Sequence, residues 1–178
     1  GHPDMKETPG VDMTSGALGN GLSVGIGMAM ASRYIGFPYR VFVVLGDGEC
    51  QEGQIWEAAM AASTKCCSNL TVIVDRNGFN QTGKTERSAR LEPFSDKWKA
   101  FGWEVLEVDG HNHAELIQAL DKAKGIVDKP CVIIAQTVKG KGISFIEGKA
   151  EWHSKALSDS EIEQVRAELQ FERGFWLC

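Results

Sequence analysis

The sequence predicts an α/β fold in which an open, mostly parallel sheet carries helices on both faces. Three observations lead there. Val41–Leu45, Leu70–Val74 and Cys131–Gln136 are continuously apolar, as central parallel strands buried on both sides are. Helical patterns fall between these runs, and the stretch separating the first two is long enough for a crossover between parallel strands. At 178 residues the chain suits one domain with a substantial core.

Taken in order, residues 1–21 are rich in Gly, Pro and small polar residues and end in Thr14-Ser15-Gly16-Ala17-Leu18-Gly19-Asn20-Gly21. Four glycines between positions 10 and 21 make this a loop whose backbone can approach another group closely. Leu22 to Tyr34 reads as a helix in which Gly25, Ala29 and Ala31 allow tight packing, and Gly36-Phe37-Pro38 ends it. After the first strand comes a polar turn, then an alanine-rich helix from Glu52 to about Lys65 with Trp56, Ala59, Met60 and Ser63 at helical spacing. Gly78 to Arg90, beyond the second strand, is polar and is expected as an exposed loop. Pro93 can open a helix to about Phe101 whose apolar face is Phe94, Trp98 and Phe101. Trp103–Val108 alternates like a strand, Asp109-Gly110 turns, and His113 to Val127 is an amphipathic helix. Pro130 precedes the strand Cys131–Gln136, and a polar stretch with Lys139-Gly140-Lys141-Gly142, Trp152 and His153 follows. The last helix, Asp159 to about Phe171, starts behind Ser158 as its cap, with Glu161 and Glu163 where the helix dipole favours them.

Composition excludes several classes. A net charge of −5 and scattered Lys and Arg argue against a nucleic-acid partner. No apolar run reaches the roughly twenty residues that cross a bilayer, so no membrane partner is expected. Five cysteines, odd in number and without a CxxC pair, read as reduced thiols of a cytoplasmic protein. Gly-His-Pro-Asp at the start does not resemble a signal peptide and lacks an initiator Met, so a fragment, a processed product or a trimmed chain is expected.

The chemistry concentrates where the first strand ends in Gly46-Asp47-Gly48. The two glycines remove side chains, so their N–H groups can approach an oxyanion ahead of a helix start. Asp47 between them would repel a bare phosphate, and a divalent cation shared by carboxylate and phosphate oxygens resolves the conflict. Asn77, thirty residues on and just past the second strand, offers a carboxamide oxygen, and the Phe79 carbonyl offers a third ligand. That oxygen set suits Mg²⁺ or Ca²⁺, and no His or Cys pair nearby suits zinc. Alone, an Asp-Gly turn after a strand is a common turn; the strand context and Asn77 turn it toward a diphosphate and metal site.

GDG followed about thirty residues later by Asn is the thiamine diphosphate signature, and GDGECQEGQIWEAAMAA resembles transketolase in particular. His2-Pro3-Asp4, Thr8-Pro9-Gly10-Val11-Asp12, Ser15 to Gly21, Glu52-Gly53, Trp56-Glu57-Ala58 and Lys139 to Gly142 are similar to further segments of that family's cofactor-binding half. The resemblance implies the thiamine diphosphate-binding fold, here as one diphosphate- and metal-binding domain over residues 1–178. It also implies that the domain is incomplete at its N-terminus and that the pyrimidine-binding domain is absent. It implies transfer of a two-carbon glycolaldehyde unit from a ketose phosphate to an aldose phosphate, as in the pentose phosphate pathway. The partners implied are sugar phosphates and a C-terminal transketolase subunit or domain, in a homodimer or heterotetramer.

Roles follow residue by residue. Asp47, Asn77 and the Phe79 carbonyl would hold the metal, while Gly46 and Gly48 would pack against the diphosphate. His2 would sit over the thiazolium and bond the donor's hydroxyls, and Gly16 and Leu18 would present backbone groups to the aminopyrimidine. Glu52 would join a carboxylate network at a subunit interface, and His153 would contact diphosphate and substrate oxygens. An exposed apolar face is expected near Leu18, Met28, Ile55 and Trp56. Without the resemblance, His2 reads as a terminal solvent residue, Glu52 as a helix-start carboxylate, and His153 with Trp152 as a surface pair. His111 and His113 read as structural or capping residues, and the lysines of KGKG as phosphate ligands or a solvated loop.

Two departures stand out. Asn77 to Gly83 lacks the apolar residue and aspartate usual before the closing glycine, and Arg76 replaces a common Asn. The resemblance implies that the glutamate activating the aminopyrimidine belongs to the pyrimidine-binding domain, so activity is expected only beside a partner. The alternatives are a non-catalytic assembly subunit, or another thiamine diphosphate enzyme such as deoxyxylulose phosphate synthase or a 2-oxo acid dehydrogenase component.

Overall fold

In a computed structural model, which describes residues 2–170, the apolar runs are parallel neighbours. The chain runs through α1 (Asn20–Tyr34), β1 (Val41–Gly46), α2 (Gly53–Thr64) and β2 (Leu70–Arg76). A short hairpin of β3 (Phe79–Asn80) and β4 (Gly83–Lys84) follows, then α3 (Thr85–Ser88) and α4 (Phe94–Ala100). β5 (Glu104–Asp109), α5 (His113–Lys124), β6 (Cys131–Gln136) and α6 (Asp159–Glu168) complete it. The main sheet has the order β1-β2-β6-β5, every pair parallel. Its strands therefore end along one edge, where Asp47, Asn77, Gly110 and Thr137 emerge. Open parallel sheets bind ligands outside that edge.

The two faces are filled differently. On one, Leu22 and Ala29 of α1, Ile55 and Ala59 of α2, and Trp98 of α4 pack with Val72 and Val74. Gly25 makes the α1 contact possible, because a Cβ there would lie 2.5 Å from Val43 Cγ2. Trp56, Phe94, Trp98, Phe101 and Trp103 form a continuous aromatic cluster, each pair contributing about 0.5–1.5 kcal/mol beyond area burial. On the other face Ala119 and Ala123 of α5 cover Leu106, Cys131 and Ile133. That helix packs mainly on β5 and β6, and Phe42 and Val44, in register with Thr71 and Ile73 on the same face, stay 46% and 70% exposed.

The helix ends follow local chemistry. Asn112 caps α5 by accepting from the Ala114 and Glu115 amides, and Ser158 and Glu161 form a reciprocal capping box on α6. α5 stops at Lys124, short of the expected Val127, because Gly125 follows and propagates a helix poorly. α6 ends at Glu168; Phe171, to which it was expected to run, lies outside the described residues.

Two expectations are corrected. Gly78–Arg90 is exposed over much of its length, as expected, but it is not a loop: it forms the hairpin and α3, and Thr85 within it is fully buried. Hydrogen bonds order it, with Gln51 Nε2 donating to the Thr85 and Ala89 carbonyls. Nor do Leu18, Met28, Ile55 and Trp56 form one exposed face. Leu18 is 59% exposed, but Ile55 is fully buried, and Trp56 and Met28 pack against the core. The apolar stripe of α2 packs against α1 and lies within the same core cluster as Val72 and Val74.

Candidate functional site

Asp47 lies immediately beyond β1 and is completely buried. Its Oδ2 accepts from the Gly78 amide at 2.6 Å and from Arg76 Nη1 at 2.9 Å, and its Oδ1 accepts from the Gly48 amide at 2.8 Å. Burial pushes the carboxyl above its ordinary range, while Gly78, Arg76 and Gly48 pull it back. For Arg76, burial works against the charge, but hydrogen bonds to Glu92 and Asp47 outweigh it and hold the guanidinium above its ordinary value.

Asn77 follows β2 and is fixed in orientation. Its Nδ2 donates to Asp75 Oδ2 at 3.1 Å, and its Oδ1 accepts from the Phe79 amide at 2.9 Å. Asp75 in turn accepts from the Thr137 hydroxyl, which ties the ends of β2 and β6 together. The Phe79 carbonyl lies beside Gly48, 3.6 Å from where a Cβ would stand. Asp47, Asn77 and Phe79 thus belong to one hydrogen-bonded strand-end cluster.

The glycines work differently from the expectation. Gly46 N–H donates to Glu49 Oε2 at 3.1 Å and Gly48 N–H to Asp47, so neither amide is free for an oxyanion. The missing side chains are what matter. A Cβ on Gly48 would collide with Asn80 at 2.8 Å, whereas one on Gly46 would meet no atom nearer than 4.0 Å.

The N-terminal loop reaches this turn through Glu49, whose Oε1 accepts from the Gly19 amide at 2.8 Å. Gly19 has φ +83°, which suits glycine. His2 lies against Gly16, its ring 3.0 Å from where a Cβ would be, and the Ser15 amide donates to the Pro3 carbonyl nearby. Leu18 and Glu52 are exposed, with Glu52 at the N-cap of α2 and its Cβ 3.4 Å from the corresponding point on Gly19. His153 is exposed on the 3-10 turn Ala150–His153, which packs on the hairpin. His111 accepts from the Val138 amide at 2.8 Å through Nε2, the structural role expected of it.

Sequence reasoning missed Glu49 as the bridge between loop and turn, Asp75 as the partner of Asn77, and Arg76 as the partner of Asp47. Arg76 had a signal: it shares the core-facing parity of Leu70, Val72 and Val74, and a charge there needs partners.

Comparison with known proteins identifies the family. The family described as "Transketolase, thiamine diphosphate binding domain" matches residues 1–177. The 6-deoxy-6-sulfo-D-fructose transketolase subunit SqwG of Clostridium sp. (strain MSTE9) is 44% identical over 171 residues, 96% of this chain and 62% of that protein. An apulose-4-phosphate transketolase subunit of Phocaeicola vulgatus is 43% identical, over 95% of this chain and 60% of its own length. The crystal structure of Campylobacter jejuni transketolase superposes with a TM-score of 0.85 at 30% identity, covering 92% of this chain and 27% of that one. The chain therefore spans about three fifths of the subunit-type relatives and about a quarter of that transketolase. With the family matched over residues 1–177, the chain belongs to the transketolase thiamine diphosphate-binding family.

Proposed function

We propose that this chain is the diphosphate- and metal-binding part of a transketolase, joining a partner that supplies the pyrimidine-binding domain. Together they transfer a two-carbon glycolaldehyde unit from a ketose phosphate to an aldose phosphate. The observation that carries the reading is the meeting of Asp47, Asn77 and Phe79 at the ends of β1 and β2, in a chain whose relatives include separate transketolase subunits.

The residues fit a hard cation. Asp47 Oδ1 accepts one hydrogen bond, as does Asn77 Oδ1, so each keeps acceptor capacity, and the Phe79 carbonyl adds a third oxygen. Mg²⁺ or Ca²⁺ suits such donors. Open space at Gly46 leaves room for a diphosphate beside the ion, and the missing side chain of Gly48 lets the Phe79 carbonyl come close to the turn after β1.

Thiamine diphosphate, when bound, supplies the carbanion stabilisation that side chains lack. The chain holds and orients. His2, steadied against Gly16, bonds the donor's hydroxyls; Gly16 and Leu18 offer backbone groups to the aminopyrimidine; His153 contacts diphosphate and substrate oxygens. Glu52, exposed at the start of α2, joins a carboxylate network across a subunit boundary. The compartment is the cytoplasm, a reading supported by the unpaired thiols of Cys50, Cys66, Cys67 and Cys131. Among the described residues no helix is long and apolar enough to cross a membrane.

The test has two parts. Calorimetric titration should show thiamine diphosphate binding that requires Mg²⁺ and is lost in Asp47→Ala; no metal-dependent binding would favour a non-catalytic assembly role. Ketol transfer should be absent for the chain alone and appear with a chain carrying the pyrimidine-binding domain. Turnover by the purified chain alone would overturn the need for a partner.

A further inference from the structure

Arg76 closes β2 with a side chain only 9% exposed. Nη1 donates to Asp47 Oδ2 at 2.9 Å and to Thr85 Oγ1 at 3.1 Å, and Nη2 donates to Glu92 at 2.8 Å and Glu86 at 3.3 Å. Its guanidinium also lies 5.2 Å from the centre of the Phe94 ring. With partners on every side it cannot swing away from Asp47.

The consequence falls on the carboxylate. Each carboxylate oxygen has about two acceptor sites. Oδ2 uses both, on Arg76 and on the Gly78 amide, whereas Oδ1 uses one, on Gly48. Asp47 can therefore offer a cation one oxygen and not two. Mg²⁺ is compact, keeps octahedral geometry and takes carboxylates through single oxygens, while Ca²⁺ takes six to eight oxygens and readily accepts both from one carboxylate.

We infer that Arg76 is a positioning residue that determines metal choice: by occupying Asp47 Oδ2 it denies bidentate coordination and favours Mg²⁺ over Ca²⁺. The inference rests on the reading of Asp47, Asn77 and Phe79 as the ligands.

The experiment is titration of the full chain with Mg²⁺ and with Ca²⁺ at saturating thiamine diphosphate, comparing the parent with Arg76→Met and Arg76→Lys. The parent should bind Mg²⁺ more tightly. Arg76→Met keeps a long apolar stem beside Phe94 but frees Oδ2, so the ratio of Ca²⁺ to Mg²⁺ dissociation constants should fall by about tenfold. Arg76→Lys, with one donor group able to reach Oδ2, should keep the ratio near that of the parent while losing the fork to Glu86 and Glu92. A parent that binds Ca²⁺ as tightly as Mg²⁺ overturns the inference even if Arg76→Met does not fold. So does an Arg76→Met chain in which both ions weaken equally, the result a purely structural arginine gives. A parent with no metal-dependent cofactor binding instead overturns the ligand assignment itself.

Discussion

Gly46 and Gly48 flank the same aspartate for different reasons, and an alanine at each separates them. Gly48 has φ −60° and ψ −35°, an ordinary helical conformation that costs alanine nothing. The new Cβ would stand 2.8 Å from Cβ and 3.2 Å from Cα of Asn80. Asn80 cannot yield easily, since Nδ2 donates to Gln51 at 2.9 Å and Ser88 at 2.7 Å, and Oδ1 accepts from the Thr82 and Gly83 amides at 3.0 Å. The hairpin must retreat, an overpacking cost of about 1–3 kcal/mol. In a chain of this size each kcal/mol moves the melting midpoint by roughly 2–4 °C, so Gly48→Ala should melt roughly 2–12 °C below the parent. At Gly46 nothing approaches a new Cβ within 4.0 Å, and Gly46→Ala should stay within about 0.5 kcal/mol of the parent. Scanning calorimetry reads the first effect, and titration with thiamine diphosphate and Mg²⁺ reads the second. Gly46→Ala should lose cofactor affinity with its melting point intact, and a Gly48→Ala/Asn80→Gly double variant should regain part of the lost stability. Equal melting midpoints for the two single variants would refute the reasoning.

Two further outcomes are expected. Glu49→Gln leaves one acceptor oxygen for the amides of Gly19 and Gly46, so stability should fall by about 1–2 kcal/mol. The Gly19 amide should then exchange faster with deuterated solvent, and unchanged exchange over residues 15–21 would show that another contact holds the loop. The second outcome concerns acid. The Arg76 hydrogen bond, then the Phe94 amide, hold the Glu92 carboxyl below its ordinary value of 4.5. A depressed carboxyl contributes stability above its unfolded value and loses it as pH falls through its folded one. Asp47, pushed up by burial, contributes with the opposite sign, so the comparison with Glu92→Gln isolates the effect. Urea unfolding between about pH 6 and pH 3 should show a shallower loss of stability in that variant than in the parent. Parallel slopes would mean that the bridge to Glu92 adds nothing.

β2 and β6 were legible because central strands buried on both faces leave continuous apolar runs, and Cys131–Gln136 needed no adjustment. β1 shows the same run but is an edge strand, not the central one expected, with Phe42 and Val44 exposed. The aspartate at the end of β1 and the asparagine after β2 were legible for a related reason: strand ends place polar residues along one edge. The order within Gly78–Arg90 was not legible, because apolar patterning reports packing of hydrocarbon, and this largely exposed segment is held by hydrogen bonds around one buried residue. Thr85 is enclosed while bonded to Arg76, and Asn80, Gln51 and Ser88 satisfy one another. The engaged amides of Gly46 and Gly48 were beyond sequence reasoning too, since Glu49 and Asp47 could equally have pointed at solvent.

β1 is both the strand that presents Asp47 and the strand whose flank is least covered. Val44, 70% exposed, lies three residues before a fully enclosed aspartate. Whatever comes to rest on Phe42 and Val44 would brace the stem on which that aspartate is mounted, and leaving them bare lets water work at it. Shielding of the flank and retention of the cofactor should rise and fall together through the stiffness of this one short strand, with no relay of side chains between them.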